Sequence, residues 1–157
     1  DHLMVMNAGS GFWHAEETLA DDPPLRMLQI FVRPHSLDLE PGIQHEPIAD
    51  PVAGEWRHLF GPEGTDAPLS VRNDVDFYDC RLANGTTTTL PSRPGWHTYL
   101  YVFDGAVEVG NKPVGYTESA LVTGDDDVAV TATEDATIVA FNIKPDAPIT
   151  RQGTIGR

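Results

Sequence analysis

The chain has 157 residues, of which 40% are hydrophobic, so it is long enough to bury a core as one domain or as two very small ones. Its 24 acidic residues outnumber its 10 lysines and arginines and give a net charge of −14, which argues against binding to nucleic acid or to an anionic membrane. No stretch approaches the about 18 apolar residues of a transmembrane helix, and the single cysteine, Cys80, excludes an intrachain disulfide.

The N-terminal third predicts little regular structure. Residues 1–6 contain no basic stretch and no cleavage-site pattern, so we expect no retained signal peptide and a cytoplasmic protein. Residues 25–32 are rich in apolar and β-branched side chains and predict a strand, which the following Arg33-Pro34 ends. The segment 35–70 is interrupted by proline and glycine and predicts a linker with one short strand near residues 56–60.

The second half predicts a compact set of β-strands. Turn signals separate the β-branched and aromatic stretches, and Gly110-Asn111 is a typical two-residue hairpin turn. Closely spaced strands of this kind favour an antiparallel sandwich or barrel. The tail, residues 146–157, has few core residues and predicts an arm. The predicted strands are residues 71–82, 86–90, 98–103, 106–109, 119–123, 128–133 and 137–143.

One short motif near the N-terminus carries the strongest signal. Gly11 is followed after two residues by His14, and Glu16 lies two residues further on. With the preceding Ala8-Gly9 turn, this run resembles the second metal-binding motif of the cupins, in the form seen in pirins and quercetinase-like bicupins. The resemblance covers essentially the whole chain, because residues 71–145 are similar to the second cupin of that family.

The resemblance implies an all-β cupin-type sandwich or barrel, a jelly roll. It divides the chain into a remnant of a first, metal-type cupin (residues 1–34), a linker (35–70), a complete second cupin without metal (71–145) and a C-terminal arm (146–157). The family implies a pirin-like, metal-binding protein, and in its quercetinase-like branch a flavonol 2,3-dioxygenase. Catalysis by this chain itself stays an open question.

His14 and Glu16 are the predicted metal ligands. If the motif is a strand, side chains two residues apart point to one face, so both can reach one ion while Ala15 faces away. Imidazole and carboxylate suit a divalent metal, with iron(II) first and manganese, nickel, copper or zinc as alternatives. By resemblance, Glu16 is also the catalytic carboxylate that takes the hydroxyl proton of a flavonol.

Half of the family's metal site is missing from this sequence. The family's first cupin opens with a His-x-His pair, and no such pair occurs here. Two ligands hold a metal poorly, so the ion is either absent or held with other groups. No spacing favours one of these groups over another; they are His2, His35, His45, Glu46, His58, His97 or a second chain.

Four further interpretations concern single side chains and the charge. His97, the one histidine of the second block, is expected to be structural or at the surface. Cys80 is expected to be a buried, unreactive thiol. Trp13, Trp56 and Trp96 are expected to pack in the core, with an aromatic-binding pocket as the alternative. The excess of carboxylates over only two lysines indicates either an acidic protein of the ordinary kind or a salt-adapted one.

The sequence leaves three functions open. The first is a metal-dependent flavonol dioxygenase, and the second is a non-catalytic cupin module that acts through protein contacts. The third is a chain that is inactive alone and forms a homodimer or joins a complementing chain, because an opened first barrel exposes strand edges and apolar side chains.

Overall fold

A computed structural model describes residues 2–15, 17–124 and 127–152, which form strands and no helix. The all-β prediction is therefore confirmed. No helix in this part of the chain is long and apolar enough to cross a membrane. The twelve strands of the described residues are β1 (His2–Asn7), β2 (Gly42–Pro47), β3 (Arg57–Pro62), β4 (Leu69–Val71), β5 (Val75–Leu82), β6 (Thr87–Thr89), β7 (His97–Asp104), β8 (Val107–Val109), β9 (Lys112–Val114), β10 (Ser119–Val122), β11 (Ala129–Ala132) and β12 (Ala136–Ile143).

Two sheets built from residues 57–143 pack face to face as a cupin-type sandwich. The larger has the strand order β10-β7-β12-β5-β3-β4, and the smaller has the order β6-β11-β8-β9, within the described residues. Pairing is antiparallel except between β3 and β4, which are parallel. Alternate residues of the long strands point inwards, and Leu100, Val130 and Ile138 have no exposed surface. The core between the sheets thus draws on both.

The predicted hairpin between β8 and β9 is confirmed. Gly110 and Asn111 both have positive φ, 52° and 70°, as a tight two-residue turn between antiparallel strands requires. The resulting ladder pairs Val107 with Val114 and Val109 with Lys112. The turn therefore keeps Val107 and Val109 of β8 on the face that packs in the core.

The N-terminal part packs on the outer face of the larger sheet. β1 and β2 form an antiparallel two-stranded sheet, in which Met4 pairs with His45. Leu3 and Val5 of β1 contact a second apolar cluster that includes Phe77 and Val139. β5 and β12 thus bury side chains on both faces, which explains their long apolar stretches.

The predicted strand at residues 25–32 is wrong, because this segment has no regular secondary structure. Its side chains rather than its backbone make the contacts: Ile30 and Val32 pack on the outer cluster, and Arg26 donates two hydrogen bonds of 3.0 Å to Asp104. Apolar and β-branched composition predicts burial on a sheet, but a strand also needs a partner edge, and the segment crosses the sheet face without one.

The single strand predicted at residues 71–82 is two strands, β4 and β5, because residues 72–74 form a bend between them. The larger sheet therefore contains β3 and β4, which lie within or across the predicted linker.

Near the C-terminal end of the described residues, the Thr150 amide donates a hydrogen bond of 3.0 Å to the Pro34 carbonyl. The start of the predicted arm therefore lies against the body, and residues 153–157 are outside the described part. The division into domains stays a prediction.

Candidate functional site

The candidate metal motif follows β1 in an irregular loop. Gly9 and Gly11 have positive φ, 56° and 120°, and the Gly11 amide donates a 2.8 Å hydrogen bond to the Ala8 carbonyl. A Cβ at Gly9 would lie 2.6 Å from the Pro41 nitrogen, so only glycine allows the loop to pass so close to the chain entering β2. His14, in this loop, is exposed at the surface. Its imidazole packs edge-on against the Phe12 ring, with 5.3 Å between the ring centroids.

The expected strand geometry at His14 is wrong. Residues 11–15 are not in a strand, and β1 already ends at Asn7, opposite Gly42. The two glycines with positive φ break the extended backbone, so the alternation of side chains does not apply to His14 and Ala15. Glu16, the second predicted ligand and the predicted catalytic carboxylate, lies outside the described residues.

The other candidate ligands do not converge on His14. His2 and His45 stack on each other at 4.9 Å across β1 and β2, while His58 lies 3.0 Å from Asp76 and His35 lies 2.9 Å from the Ser36 hydroxyl. His97 is half-buried in β7, and Glu46 is exposed in β2. Within residues 2–15, 17–124 and 127–152, no three His, Cys, Asp or Glu side chains form a group that could hold a metal. The described donor set alone therefore does not fit a cupin metal centre.

A buried polar cluster in the sandwich was missed by sequence reasoning. The strand register places Asn142 of β12 opposite both Asp76 of β5 and Thr98 of β7. These three side chains are 0 to 2% exposed, and the Thr98 hydroxyl lies 2.7 Å from the Asn142 carbonyl oxygen. The signal in the sequence was a charged residue at an inward position of an alternating strand, Asp76-x-Tyr78-x-Cys80.

Two basic side chains contact the carboxylate of Asp76. His58 Nε2 lies 3.0 Å from one carboxylate oxygen, and Arg93 Nη1 lies 2.9 Å from the other. The Arg93 contact is an ion pair that is not aligned as a hydrogen bond. Tyr78 stacks on His58 at 4.5 Å, and burial, followed by the charge of Asp76, raises the pKa of its phenol. The arrangement stabilises a buried carboxylate at one end of the barrel.

The three tryptophans have different surroundings. Trp13 is fully exposed, so its predicted core packing is wrong. Trp56 packs against the barrel core, and its indole donates a 2.9 Å hydrogen bond to the Thr89 carbonyl. The Arg93 guanidinium carbon lies over the Trp96 ring, 4.5 Å from the ring centroid. This cation–π contact holds Arg93 beside the polar cluster.

The predicted state of Cys80 is confirmed. The thiol is 1% exposed and lies in the barrel core. Burial raises its pKa to about 11, so it stays protonated at neutral pH and is a poor nucleophile.

Residues 58–143 match the sequence model of a protein family described as the quercetinase C-terminal cupin domain. A pirin-like protein of Caulobacter vibrioides is 30% identical over 139 residues, which are 87% of this chain and 60% of that protein. A Mycobacterium tuberculosis protein provisionally named quercetin 2,3-dioxygenase is 27% identical over 142 residues, 88% of this chain and 57% of that protein. The chain thus spans about three-fifths of the length of the curated relatives it matches.

Solved structures share the fold. The bacterial pirin YhhW of Escherichia coli in complex with nickel(II) superposes with a TM-score of 0.62 at 15% identity, over 74% of this chain and 48% of that one. A quercetin 2,3-dioxygenase of Acinetobacter baumannii gives 0.63 at 22% identity, over 77% of this chain and 46% of that one. The family match covers more than half of the chain and includes the strands that build both sheets of the sandwich. The chain therefore belongs to the pirin family, as a pirin-like cupin whose residues 58–143 match its quercetinase-type C-terminal cupin domain.

Proposed function

We propose that this chain functions as part of a metal-dependent dioxygenase of the quercetin 2,3-dioxygenase kind. The observation that carries the proposal is the match of residues 58–143 to the quercetinase C-terminal cupin domain. The likeness to the C. vibrioides relative also reaches beyond that domain. Its 139 aligned residues exceed the 100 residues from position 58 to the end of the chain, so the likeness includes part of the N-terminal segment.

The metal chemistry is assigned to His14 and Glu16. Imidazole and carboxylate together suit iron(II), and also manganese, nickel, copper or zinc. Because the described residues offer no group of three ligands, the remaining ligands must come from a second polypeptide or from residues outside the described part. When bound, the metal would supply a Lewis acid and a site for dioxygen.

Within such a site Glu16 has a second role. A carboxylate beside a bound flavonol can accept the proton of its hydroxyl group, which raises the electron density of the ring that reacts with dioxygen. His14 is exposed, which agrees with a site that is open to a planar molecule such as a flavonol.

A hybrid protein tests this proposal. The part of the C. vibrioides relative that the alignment does not cover is fused to this chain. Quercetin loss, dioxygen uptake and bound metal are then measured. We expect metal and activity in the hybrid, and loss of both in H14A and E16Q. H45A, which removes another exposed histidine, is the matched control and should keep both.

The outcomes separate the two parts of the proposal. A hybrid that holds metal but leaves quercetin intact contradicts the substrate class. A hybrid in which H14A holds as much metal as H45A contradicts the assignment of the site.

A non-catalytic module that acts through protein contacts is the second candidate. The observation that favours it is the exposed apolar surface of the N-terminal third, where Trp13 is 101%, Leu19 75% and Ile43 71% exposed. Such side chains are typical of a surface that a partner or a second copy covers. Light scattering over a range of concentrations tests it: we expect dimers that W13S and I43S weaken, and a monomer at all concentrations would contradict the homodimer.

A further inference from the structure

A cavity of about 190 Å³, which none of residues 8–15 lines, lies where the end of β3 meets the bend between β4 and β5. Glu63 and Arg72 line it as a contacting pair, and Pro62 and Val71 contribute apolar lining. His35 of the N-terminal part also lines the cavity. Its backbone amide donates a 2.8 Å hydrogen bond to the Arg72 carbonyl. The cavity thus lies between the N-terminal segment and the larger sheet of the sandwich.

Arg72 is only loosely paired. Its buried Nε lies 2.8 Å from a Glu63 carboxylate oxygen, but the contact is not aligned as a hydrogen bond. The Glu63 side chain is 62% exposed, and ion pairs of this kind contribute little because water solvates the carboxylate. Among the described residues Glu63 is the one ion-pair partner of Arg72. The guanidinium therefore keeps most of its five donors for another acceptor.

The other polar groups of the cavity are already engaged. The Asn73 amide nitrogen donates to the Arg33 carbonyl at 2.7 Å and to the Pro148 carbonyl at 3.1 Å. Asp74 is paired with Lys144 at 3.3 Å. Each of the two carboxylates, Glu63 and Asp74, is thus paired with one basic side chain, Arg72 or Lys144. If Glu63 rotates into solvent, Arg72 is left as the one guanidinium of the cavity lining, beside an Asp74 that is paired with Lys144.

We propose that this cavity binds a small organic carboxylate, that Arg72 holds its carboxylate group, and that Glu63 competes with it from within the protein. The guanidinium fork matches a carboxylate with two parallel hydrogen bonds, which the single misaligned contact to Glu63 does not provide. Pro62 and Val71 line the space for the apolar part of the acid. Affinity is set by the ease with which Glu63 is displaced.

Benzoate is the probe, titrated at constant ionic strength and followed by two-dimensional NMR. We expect saturable shifts at the Arg72 and His35 amides of the wild-type protein. E63Q removes the competitor and should bind benzoate about two- to fivefold more tightly, the factor that a surface ion pair is worth. R72Q should abolish binding, and R72K, which keeps the charge but loses the fork, should weaken it.

E108Q is the matched control, because it removes one exposed carboxylate from β8 in the smaller sheet. Equal affinities of E63Q and E108Q would overturn the role of Glu63. Saturable binding by folded R72Q, displacement of benzoate by inorganic phosphate at equal concentration, or no saturable shift in the wild-type protein would overturn the site.

Discussion

Asp76 has no solvent exposure, and its carboxylate contacts His58 and Arg93. Replacing Arg93 with leucine leaves a buried carboxylate with one partner, so we expect a loss of about 3 kcal/mol in the free energy of unfolding, measured with urea. R93K should keep more than half of this stability. R81Q, at an exposed arginine of β5, should change it by less than about 0.5 kcal/mol. Equal effects of R93L and R81Q would contradict the role of the ion pair.

The burial of Cys80 predicts both its reactivity and a pH effect. The folded-state pKa of about 11 lies above the ordinary value of 9.0, so the folded chain keeps a proton that the unfolded chain has lost between these values. The stability that this proton provides is complete below pH 9 and is lost as the pH rises to about 11. C80A should lack this decline. At pH 8 a disulfide reagent should label the native thiol far more slowly than the thiol in urea, and equal rates would contradict burial.

At the scale of the elements, the turn from β7 to β8 depends on Gly105. Its φ is +73°, and a Cβ there would lie 2.9 Å from the Ala136 Cα. Gly85 has a similar φ of +80° but open space around a Cβ. We therefore expect G85A to cost about 1 kcal/mol from backbone strain alone. G105A should cost at least twice as much in urea unfolding. Similar costs would mean that the close packing of β12 on this turn contributes nothing.

Most strands of the sandwich could be predicted from the sequence, because apolar alternation and turn residues act locally. The bend at residues 72–74 was missed, since the apolar positions on both sides continue in phase. Residues 25–32 have strand-like composition, but their contacts are made by side chains on the sheet face. Local pattern indicates which residues are buried, and it does not show whether a segment finds an edge to pair with.

The candidate sites depended on the fold in different ways. The spacing of Gly11 and His14 identified the family, but the positive φ of the two glycines removed the strand geometry assumed for the motif. The cluster of Asp76, Thr98 and Asn142 could not be found from spacing, because it exists only through the register of β5, β12 and β7.

At the scale of the whole molecule, a net charge of −14 on 157 residues implies self-repulsion in the folded state. Potassium chloride screens this repulsion, so we expect the melting temperature to rise between low and molar salt, with most of the rise at low concentrations. The double variant E108Q/E134Q removes two exposed carboxylates and should show a smaller rise. A melting temperature independent of salt would contradict adaptation to high salt.

The central claim has two parts: the chain belongs to the pirin family, and we propose that it needs a second polypeptide to complete a cupin metal site, since the residues that the structure describes offer no group of three ligands. The most direct test is elemental mass spectrometry of the chain after incubation with iron(II) or nickel(II) and desalting, beside the variant H14A/E16A. Because the described residues bring no three ligands together, we expect far less than one metal ion per chain, and the same low content in the variant. One metal ion per chain, lost in H14A/E16A, would contradict the claim and show that the chain completes the site around His14 and Glu16.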